Sequence, residues 1–342
     1  MRILITDKTH PVLEEMLRAA GHEVTVDTTL DYDSLLARVG DYDALVVRSK
    51  IVIDRPFLDR ARHLKCIGRV GAGMETIDVD YAESLGIRCL NSPEGNRDAV
   101  GEHAVGLLLA LFNHIASADA EVRQGLWRRE ENRGLEVKGK TIGIIGFGNM
   151  GRAFAQRLRG FECTVVAYDK YKPAGYAPEG VEEVTLEALQ RRADVVSLHV
   201  PLTDETRYMV DSAFLHAFTK EIFLINTARG PVVKTDDLLA ALDEGKVRGA
   251  ALDVLEYEDM TKDGVAMDVI NSQLSTALPL TKGEYPVGGR GSQLVLTPHV
   301  AGWTVESKEK LARVLAEKII SVTNSSPKLG EVPKGRRSVS IC

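Results

Sequence analysis

No run of apolar residues in this 342-residue sequence approaches the ~20 needed to span a bilayer; the longest lies around Ala104 to Phe112, AVGLLLALF. Cysteine is scarce. The four, Cys66, Cys89, Cys163 and Cys342, form no C-x-x-C pair and no metal-type spacing, so no metal is expected and the thiols are read as free in a reducing cytosol. Positive charge is in deficit: 43 Lys and Arg against 49 Asp and Glu give a net charge of −6, which argues against a general nucleic-acid surface. The N-terminus, MRILITD, places Asp7 inside a strand-like run and does not read as a secretory signal. Membrane, secreted and collagen-like classes fall away, and a cytoplasmic location is expected. What remains is ordinary for a globular chain, 44% hydrophobic and 27% charged. At ~150 residues per domain, the length predicts two domains or one large one.

The first ninety residues alternate short apolar runs with helix-period segments. ILIT at 3–6, HEVTV at 22–26, ALVV at 44–47, CIGRV at 66–70 and IRCL at 87–90 read as strands. The segments between them carry apolar residues three or four apart, and Gly21, Gly40 and Gly86 are placed to close three helices in a left-handed conformation. Strands alternating with single helices predict right-handed crossovers and a parallel sheet. A long helical run then extends from about Asn96 to Gln124, apolar on nearly every face and therefore buried. After the charged segment RREENRGLEVKGK the alternation restarts, with TIGIIG, CTVVAYD, DVVSLHV, IFLINTA and GAALDV as strands of a second parallel sheet. The stretch from Asp259 to Gln293 has no clear period and reads as a long functional or mobile loop. QLVLTPHV resumes the second sheet. TVESKEKLARVLAEKIISVTN is a final amphipathic helix expected to cross back to the first domain, and residues 331–342 are polar, basic and expected to be disordered. The fold class predicted is α/β, with two doubly wound parallel-sheet domains.

GFGNMG at 146–151 fits G-x-G-x-x-G, and its context gives the motif weight. The apolar strand Ile142 to Ile145 runs into it, and a helix with Met150, Ala153, Phe154 and Leu158 on one face leaves it. Gly146 allows the tight turn, Gly148 lets a pyrophosphate approach the backbone, and Gly151 lets helix and strand pack closely, with the phosphates at the helix N-terminus. The next strand ends at Asp169, in range for the acid that binds the ribose hydroxyls. That carboxylate would repel a 2′-phosphate and favour NAD over NADP, and Lys170 beside it softens the preference.

Three further strand ends lie where ligands of such sheets bind. INTARGPVV puts Arg229 past one, AALDVLEYED puts Asp253 and Glu258 past another, and VLTPHVAGWT puts His299 past a third. Oxidation of an alcohol by a nicotinamide needs a base near neutral pH, which histidine supplies. A carboxylate fixes the imidazole tautomer, and a forked arginine suits a substrate carboxylate. Taken singly, His299 after Pro298 is a turn residue, Arg229 a surface charge and Glu258 part of an acidic stretch. Their joint placement past three strands is what singles them out.

With these motifs in order, the chain resembles the D-isomer-specific 2-hydroxyacid dehydrogenases over nearly its whole length. HVPLTDETRYMV at 199–210, INTARG, GAALDVLEYE at 249–258 and TPHVAGWT carry the resemblance beside GFGNMG and Asp169. It implies that Arg229 binds the substrate carboxylate, Glu258 holds the imidazole and His299 is the acid/base. It places Asp253 near the nicotinamide carboxamide, and adds Asn149, Met150, Val200, Pro201, Thr206, Thr227, Ala228 and Gly302 to the NAD site. GRVGAG at 68–73 resembles a carboxylate-binding loop with Val70, Gly71, Ala72 and Gly73, and NRDAVGEH resembles the hinge helix with Asn96 facing substrate and cofactor. The implied fold is a discontinuous flavodoxin-like substrate domain, residues 1–95 with 303–330, and an inserted Rossmann NAD domain, residues 96–302. A homodimer through the NAD domains is implied, with a small 2-hydroxy or 2-oxo acid as substrate.

Arg48 and Ser49, at the end of ALVVRSK, resemble the pair that grips phosphate in the 3-phosphoglycerate branch, and 3-phosphoglycerate is the acid expected. Pairing of Arg48 with Asp43 is the alternative for that arginine. The departures are Asp259 where the family carries proline, the 41 residues from Glu258 to His299, Trp303 where that branch carries smaller side chains, and a chain expected to end too early for the regulatory domain that many of those enzymes append. Two other functions stay open: a hydroxypyruvate or glyoxylate reductase, and an NAD-sensing binding protein of the kind this fold provides to transcriptional corepressors.

Overall fold

The computed structural model describes residues 1–258 and 293–324. The loop expected over 259–293, apart from Gln293, and the expected C-terminal tail lie outside the described residues. The chain divides into two compact units, Met1–Arg97 with residues from Trp303 onward, and Asp98–Gly302.

The first unit is a parallel sheet of β1 (Arg2–Ile5), β2 (Glu23–Val26), β3 (Ala44–Val47), β4 (Cys66–Arg69) and β5 (Arg88–Leu90) in the order β2-β1-β3-β4-β5. This is the flavodoxin-like order. Ile3, Leu4, Ile5 and all of β3 are fully buried, as the inner strands of a sheet covered on both faces must be, while Glu23 and Arg88 on the edge strands reach solvent. The crossovers are α1 (Val12–Ala19), α2 (Tyr32–Arg38), α3 (Arg55–Arg60) and α4 (Val79–Ser84). Three of these start at an aspartate whose carboxylate accepts a backbone N–H of the first turn: Asp31 from Ser34, Asp54 from Phe57 and Asp78 from Tyr81. Each such cap stabilises its helix by about 1 kcal/mol. Gly21 and Gly86 are left-handed, at φ +82° and +81°, as expected of helix-closing glycines. Gly40 is not. It lies in a 3-10 turn, Val39–Asp41, in which the Tyr42 N–H reaches back to the Val39 carbonyl, so the tightened last turn does the closing.

The sheet face that α1 covers also receives the last described helix, which clusters with the first unit. Ala312, Leu315, Ala316 and Ile319 pack with Ile3, Ile5, Val46 and Cys66. The helix backbone comes so close that a Cβ on Gly95 would stand 2.4 Å from the Leu311 nitrogen. Lys318 locks the seat by donating to both oxygens of Glu94 and to the Asn91 carbonyl.

The second unit opens with α5 (Arg97–Phe112, whose first residue belongs to the first unit) and α6 (Ile115–Arg123), where the sequence predicted one continuous helix. They meet at 59°, with His114 left-handed at φ +52°. The cause is a tertiary contact: the Phe112 carbonyl takes its hydrogen bond from Leu135 N–H, and Gly134 packs against the same carbonyl and Asn113. Among the described residues no single helix is long and apolar enough to cross a membrane. The sheet that follows is fully parallel: β6 (Thr141–Ile145), β7 (Thr164–Tyr168), β8 (Glu182–Glu183), β9 (Val195–Leu198), β10 (Ile222–Asn226), β11 (Val247–Leu252) and β12 (Leu294–Leu296). Its order is β12-β11-β10-β9-β6-β7-β8, connected through α7 (Asn149–Arg157), α8 (Leu186–Arg192), α9 (Ser212–His216) and α10 (Thr235–Asp243). The strand after β8 pairs on the far side of β6. The order therefore reverses between β6 and β9, and a ligand crevice is expected at their carboxyl ends. The helix of the first unit described above is α11 (Val305–Asn324).

Candidate active site

At the end of β6 the chain turns on Gly146, at φ +86°, where a Cβ would stand 2.4 Å from the His199 carbonyl oxygen. No L side chain fits there. Gly148 begins α7, and among the described residues no side chain caps it, which leaves the first amides of the helix available to an anion. Asn149 and Met150 follow, and a Cβ on Gly151 would lie 2.2 Å from the Gly146 carbonyl. Asp169, just past β7, is strapped to this turn: its carboxylate accepts from Phe147 N–H at 2.9 Å and from Tyr171 N–H at 3.0 Å.

Past β9 lies His199, buried, with Nε2 2.9 Å from the Ser197 hydroxyl and its ring 5.5 Å from that of Phe154. Burial pushes its pKa down to about 3, so it is a neutral wall beneath the glycine turn. Val200 and Pro201 lead into a turn in which the Thr206 hydroxyl donates to the Pro201 carbonyl at 2.6 Å.

Past β10, Asn226 folds the next turn by accepting from Ala228 N–H and donating to the Arg229 carbonyl, both at 3.0 Å. The Thr227 hydroxyl is buried with no partner among the described residues, which leaves it available to a ligand. Gly230 is held so close that a Cβ would stand 1.9 Å from the Leu255 carbonyl oxygen, which brings the Arg229 turn against the Leu255–Glu258 turn. The Arg229 guanidinium donates to the Ala228 carbonyl at 2.6 Å.

Across from it, His299 Nδ1 lies 3.0 Å from Glu258 Oε1. The Glu258 hydrogen bond raises the His299 pKa above its ordinary value against the lowering effect of burial, with Arg229 as a smaller opposing charge. The His299 backbone is left-handed, at φ +54°, an uncommon state for a residue with a Cβ. Asp253 explains how it persists. Its carboxylate, 1% exposed, accepts from the Thr297 hydroxyl at 2.5 Å and from the N–H groups of Val300 and Ala301, both at 2.9 Å. His299 N–H donates to the Asp253 carbonyl at 2.8 Å. His103 of α5 joins this network, with Nε2 3.1 Å from the Thr297 hydroxyl. Asp253, expected near a carboxamide, is thus engaged in folding the histidine turn. Gly302 ends the unit three residues beyond His299.

In the first unit the selected residues also gather at the carboxyl edge of the sheet. Arg48 N–H donates to Asp7 at 2.9 Å, and the Arg48 guanidinium lies 4.1 Å from the centroid of Trp303, whose ring also has Lys308 Nζ at 5.1 Å. Asp43 pairs with Lys65, at 3.1 Å, rather than with Arg48. Ser49 is exposed. The loop from Val70 through Gly71, Ala72 and Gly73 is tied down from the ends of β3 and β5: Val70 N–H donates to the Val47 carbonyl, Ser92 N–H to the Gly71 carbonyl and the Asn91 amide to the Ala72 carbonyl. Asn96 keeps its side-chain oxygen buried and, among the described residues, without a partner. Asn226, His103 and the Asn91–Ser92 brace escaped the sequence reading, because their work is to shape backbone and they carry no signature spacing.

The glycine turn that no Cβ can enter, the uncapped N-terminus of α7 and the orphaned Thr227 hydroxyl together fit a dinucleotide. Comparison with known proteins agrees. Residues 105–301 match the family described as D-isomer specific 2-hydroxyacid dehydrogenase, NAD binding domain. A D-3-phosphoglycerate dehydrogenase of Archaeoglobus fulgidus is 33% identical over 96% of this chain and 58% of its own length. The chain thus spans somewhat over half of such relatives. A hydroxypyruvate reductase of Thermotoga maritima is 35% identical over 85% of this chain and 88% of its own. The solved structure of the TT0316 protein from Thermus thermophilus superposes with a TM-score of 0.74 at 32% identity, covering 95% of this chain and 97% of that one. By its strand order, by its glycine turn and by these matches, the chain belongs to the D-isomer specific 2-hydroxyacid dehydrogenase family.

Proposed function

We propose that the protein is an NAD-dependent oxidoreductase that interconverts a small D-2-hydroxy acid and its 2-oxo acid. The observation that carries this reading is the His299–Glu258 pair at 3.0 Å beside the Arg229 turn, in the unit that holds the glycine turn. Bound NAD supplies the hydride acceptor. The chain's own residues handle proton and charge. In oxidation, His299 takes the hydroxyl proton as the C2 hydride leaves, Glu258 stabilises the imidazolium that forms, and Arg229 pairs with the substrate carboxylate. The test is loss of NADH absorbance with a panel of 2-oxo acids. His299→Ala is expected to lower turnover at least ~10²-fold while NADH binding stays near normal. Tight NADH binding with no turnover on any acid would instead favour an NAD sensor.

For the substrate we infer 3-phosphoglycerate and 3-phosphohydroxypyruvate. Arg48 and Ser49 at the end of β3 support this, with the Val70–Gly73 loop and Asn96 as the other substrate groups of the first unit. Hydroxypyruvate is the second reading, favoured by Trp303, whose indole already covers the Arg48 guanidinium. The comparison of kcat/KM for the phosphorylated and unphosphorylated acids, in wild type and Arg48→Ala, separates them. A phosphate site prefers the phosphorylated acid and loses that preference with the arginine. We also infer a homodimer through the NAD unit, supported by an apolar surface on and just after α6. Ile115 and Val122 are each 53% exposed there, and Trp127 79%. Trp127→Asp is expected to yield monomers in light scattering.

A further inference from the structure

We propose that Glu205 sets the nucleotide selectivity of the NAD unit by occupying the ammonium of Lys170. The proposal rests on the dinucleotide reading of the glycine turn and concerns the loops on either side of it.

In the sheet order β9-β6-β7, the turns after β9 and β7 flank the glycine turn after β6. Those two flanking turns are joined. Lys170, directly after Asp169, donates from Nζ to one oxygen of Glu205, and the Tyr171 hydroxyl donates to the other. Lys170 Nζ also lies 5.7 Å from the Tyr171 ring centroid, so ammonium, phenol and carboxylate form one closed group. Glu205 is presented from a stiff turn: Thr206 donates from its hydroxyl to the Pro201 carbonyl at 2.6 Å, and Arg207 N–H donates to the Thr203 carbonyl at 2.9 Å.

A lone carboxylate after β7 accepts hydrogen bonds from ribose hydroxyls and repels a 2′-phosphate. A free lysine next to it would cancel the repulsion and offer the phosphate a charge-assisted bond. Here the lysine is already neutralised by a second carboxylate. Asp169, Lys170 and Glu205 leave one net negative charge at this end of the crevice, against a ligand group that brings about two more. The direction of titration is consistent: the Lys170 pair with Glu205 raises the ammonium's pKa and lowers the carboxylate's. The group is exposed, with Lys170 at 56% and Glu205 at 46%, so it adds little to the stability of the fold. Its effect lies in what it denies the nucleotide.

The test measures dissociation constants of NADH and NADPH by calorimetry on wild type, Glu205→Ala, Lys170→Ala and the double variant, with melting temperature as a control. Wild type is expected to prefer NADH. Glu205→Ala should tighten NADPH about fivefold or more, because the freed ammonium can then pair with the 2′-phosphate. NADH affinity and melting temperature should hold, and the double variant should lose the gain. Unchanged NADPH affinity in Glu205→Ala overturns the proposal. So does a gain that survives removal of Lys170, which would reduce the effect to bulk charge. A wild type that binds neither nucleotide overturns the dinucleotide reading and this proposal with it, whereas normal NADH binding with an unmoved NADPH constant refutes only the role of Glu205.

Discussion

Glutamine in place of Glu258 would remove one charge and little else. It matches the carboxylate in size and still accepts a hydrogen bond from His299 Nδ1, so the 3.0 Å contact can persist without its charge. Two unit charges about 4 Å apart attract by ~1 kcal/mol in water and ~4 kcal/mol near a protein surface. The His299 side chain is 55% exposed and that of Glu258 25%, which places this pair toward the lower half of that range. About 2 kcal/mol of stabilisation of the developing imidazolium is at stake, or ~30-fold in the rate of oxidation. The sign of the pH effect follows from the raised pKa of His299, whose first cause is the Glu258 hydrogen bond. Reduction needs the imidazolium, so kcat/KM falls as pH rises through the pKa. Oxidation needs the neutral ring, so it rises there. Loss of the charge lowers the pKa and moves both limbs to lower pH. The raised pKa also stabilises the fold, fully below the unfolded value of 6.5 and less as pH rises through the folded one, so the variant should lose melting temperature on the acid side only. Initial rates in both directions across neutral pH, in Glu258→Gln, His299→Ala and the double variant, provide the assay. Because Glu258 acts through His299, the double variant should be no slower than His299→Ala alone. Unmoved pH limbs, or losses that multiply in the double variant, would refute the reasoning.

Three further outcomes are expected. Gly146→Ala puts a Cβ 2.4 Å from the His199 carbonyl in a left-handed conformation that costs an L residue ~1–2 kcal/mol; it should lower the melting temperature and weaken NADH at least tenfold in fluorescence titration, and unchanged affinity would dissociate the turn from the nucleotide. Arg229→Lys keeps charge but loses the fork, so kcat/KM for the 2-oxo acid should fall about 10–100-fold with NADH affinity intact; a change confined to NADH would move the arginine out of substrate binding. Thr297→Val removes one donor from the buried Asp253 carboxylate, and a stability loss of about 1–3 kcal/mol with slower turnover is expected in denaturant titration and initial rates. Full stability in that variant would show that the other donors suffice.

Much of this is legible in the sequence. The parallel sheets announce themselves because buried strands such as ILIT, ALVV and IFLIN are continuous apolar runs, and the glycines at 146 and 151 are required by backbone contacts that sequence spacing alone reports. Less legible are features decided by particular hydrogen bonds rather than by residue pattern. The break between α5 and α6 depends on Leu135 capturing the Phe112 carbonyl, and nothing in AVGLLLALFNHIA signals it. Gly40 satisfies the pattern of a helix-closing residue, yet a 3-10 turn has already closed the helix. The engagement of Asp253 by Thr297, Val300 and Ala301 is equally hidden, since its donors stand more than forty residues away in the chain.

The seating of α11 has a bearing on how the protein is made. The first sheet buries Ile3, Ile5, Val46 and Cys66 against residues 312–319, which a ribosome delivers only after the entire Asp98–Gly302 unit. At ~5–20 residues per second, that interval lasts on the order of tens of seconds. Throughout it the nascent chain carries a formed or half-formed sheet with one apolar face covered only in part, by Val12, Leu13 and Leu17 of α1, while the second unit is free to fold by itself. Slow synthesis or a truncated message would therefore yield a sound nucleotide-binding unit attached to an aggregation-prone partner, and chaperone demand should concentrate on the N-terminal ninety residues rather than on the larger unit that follows them.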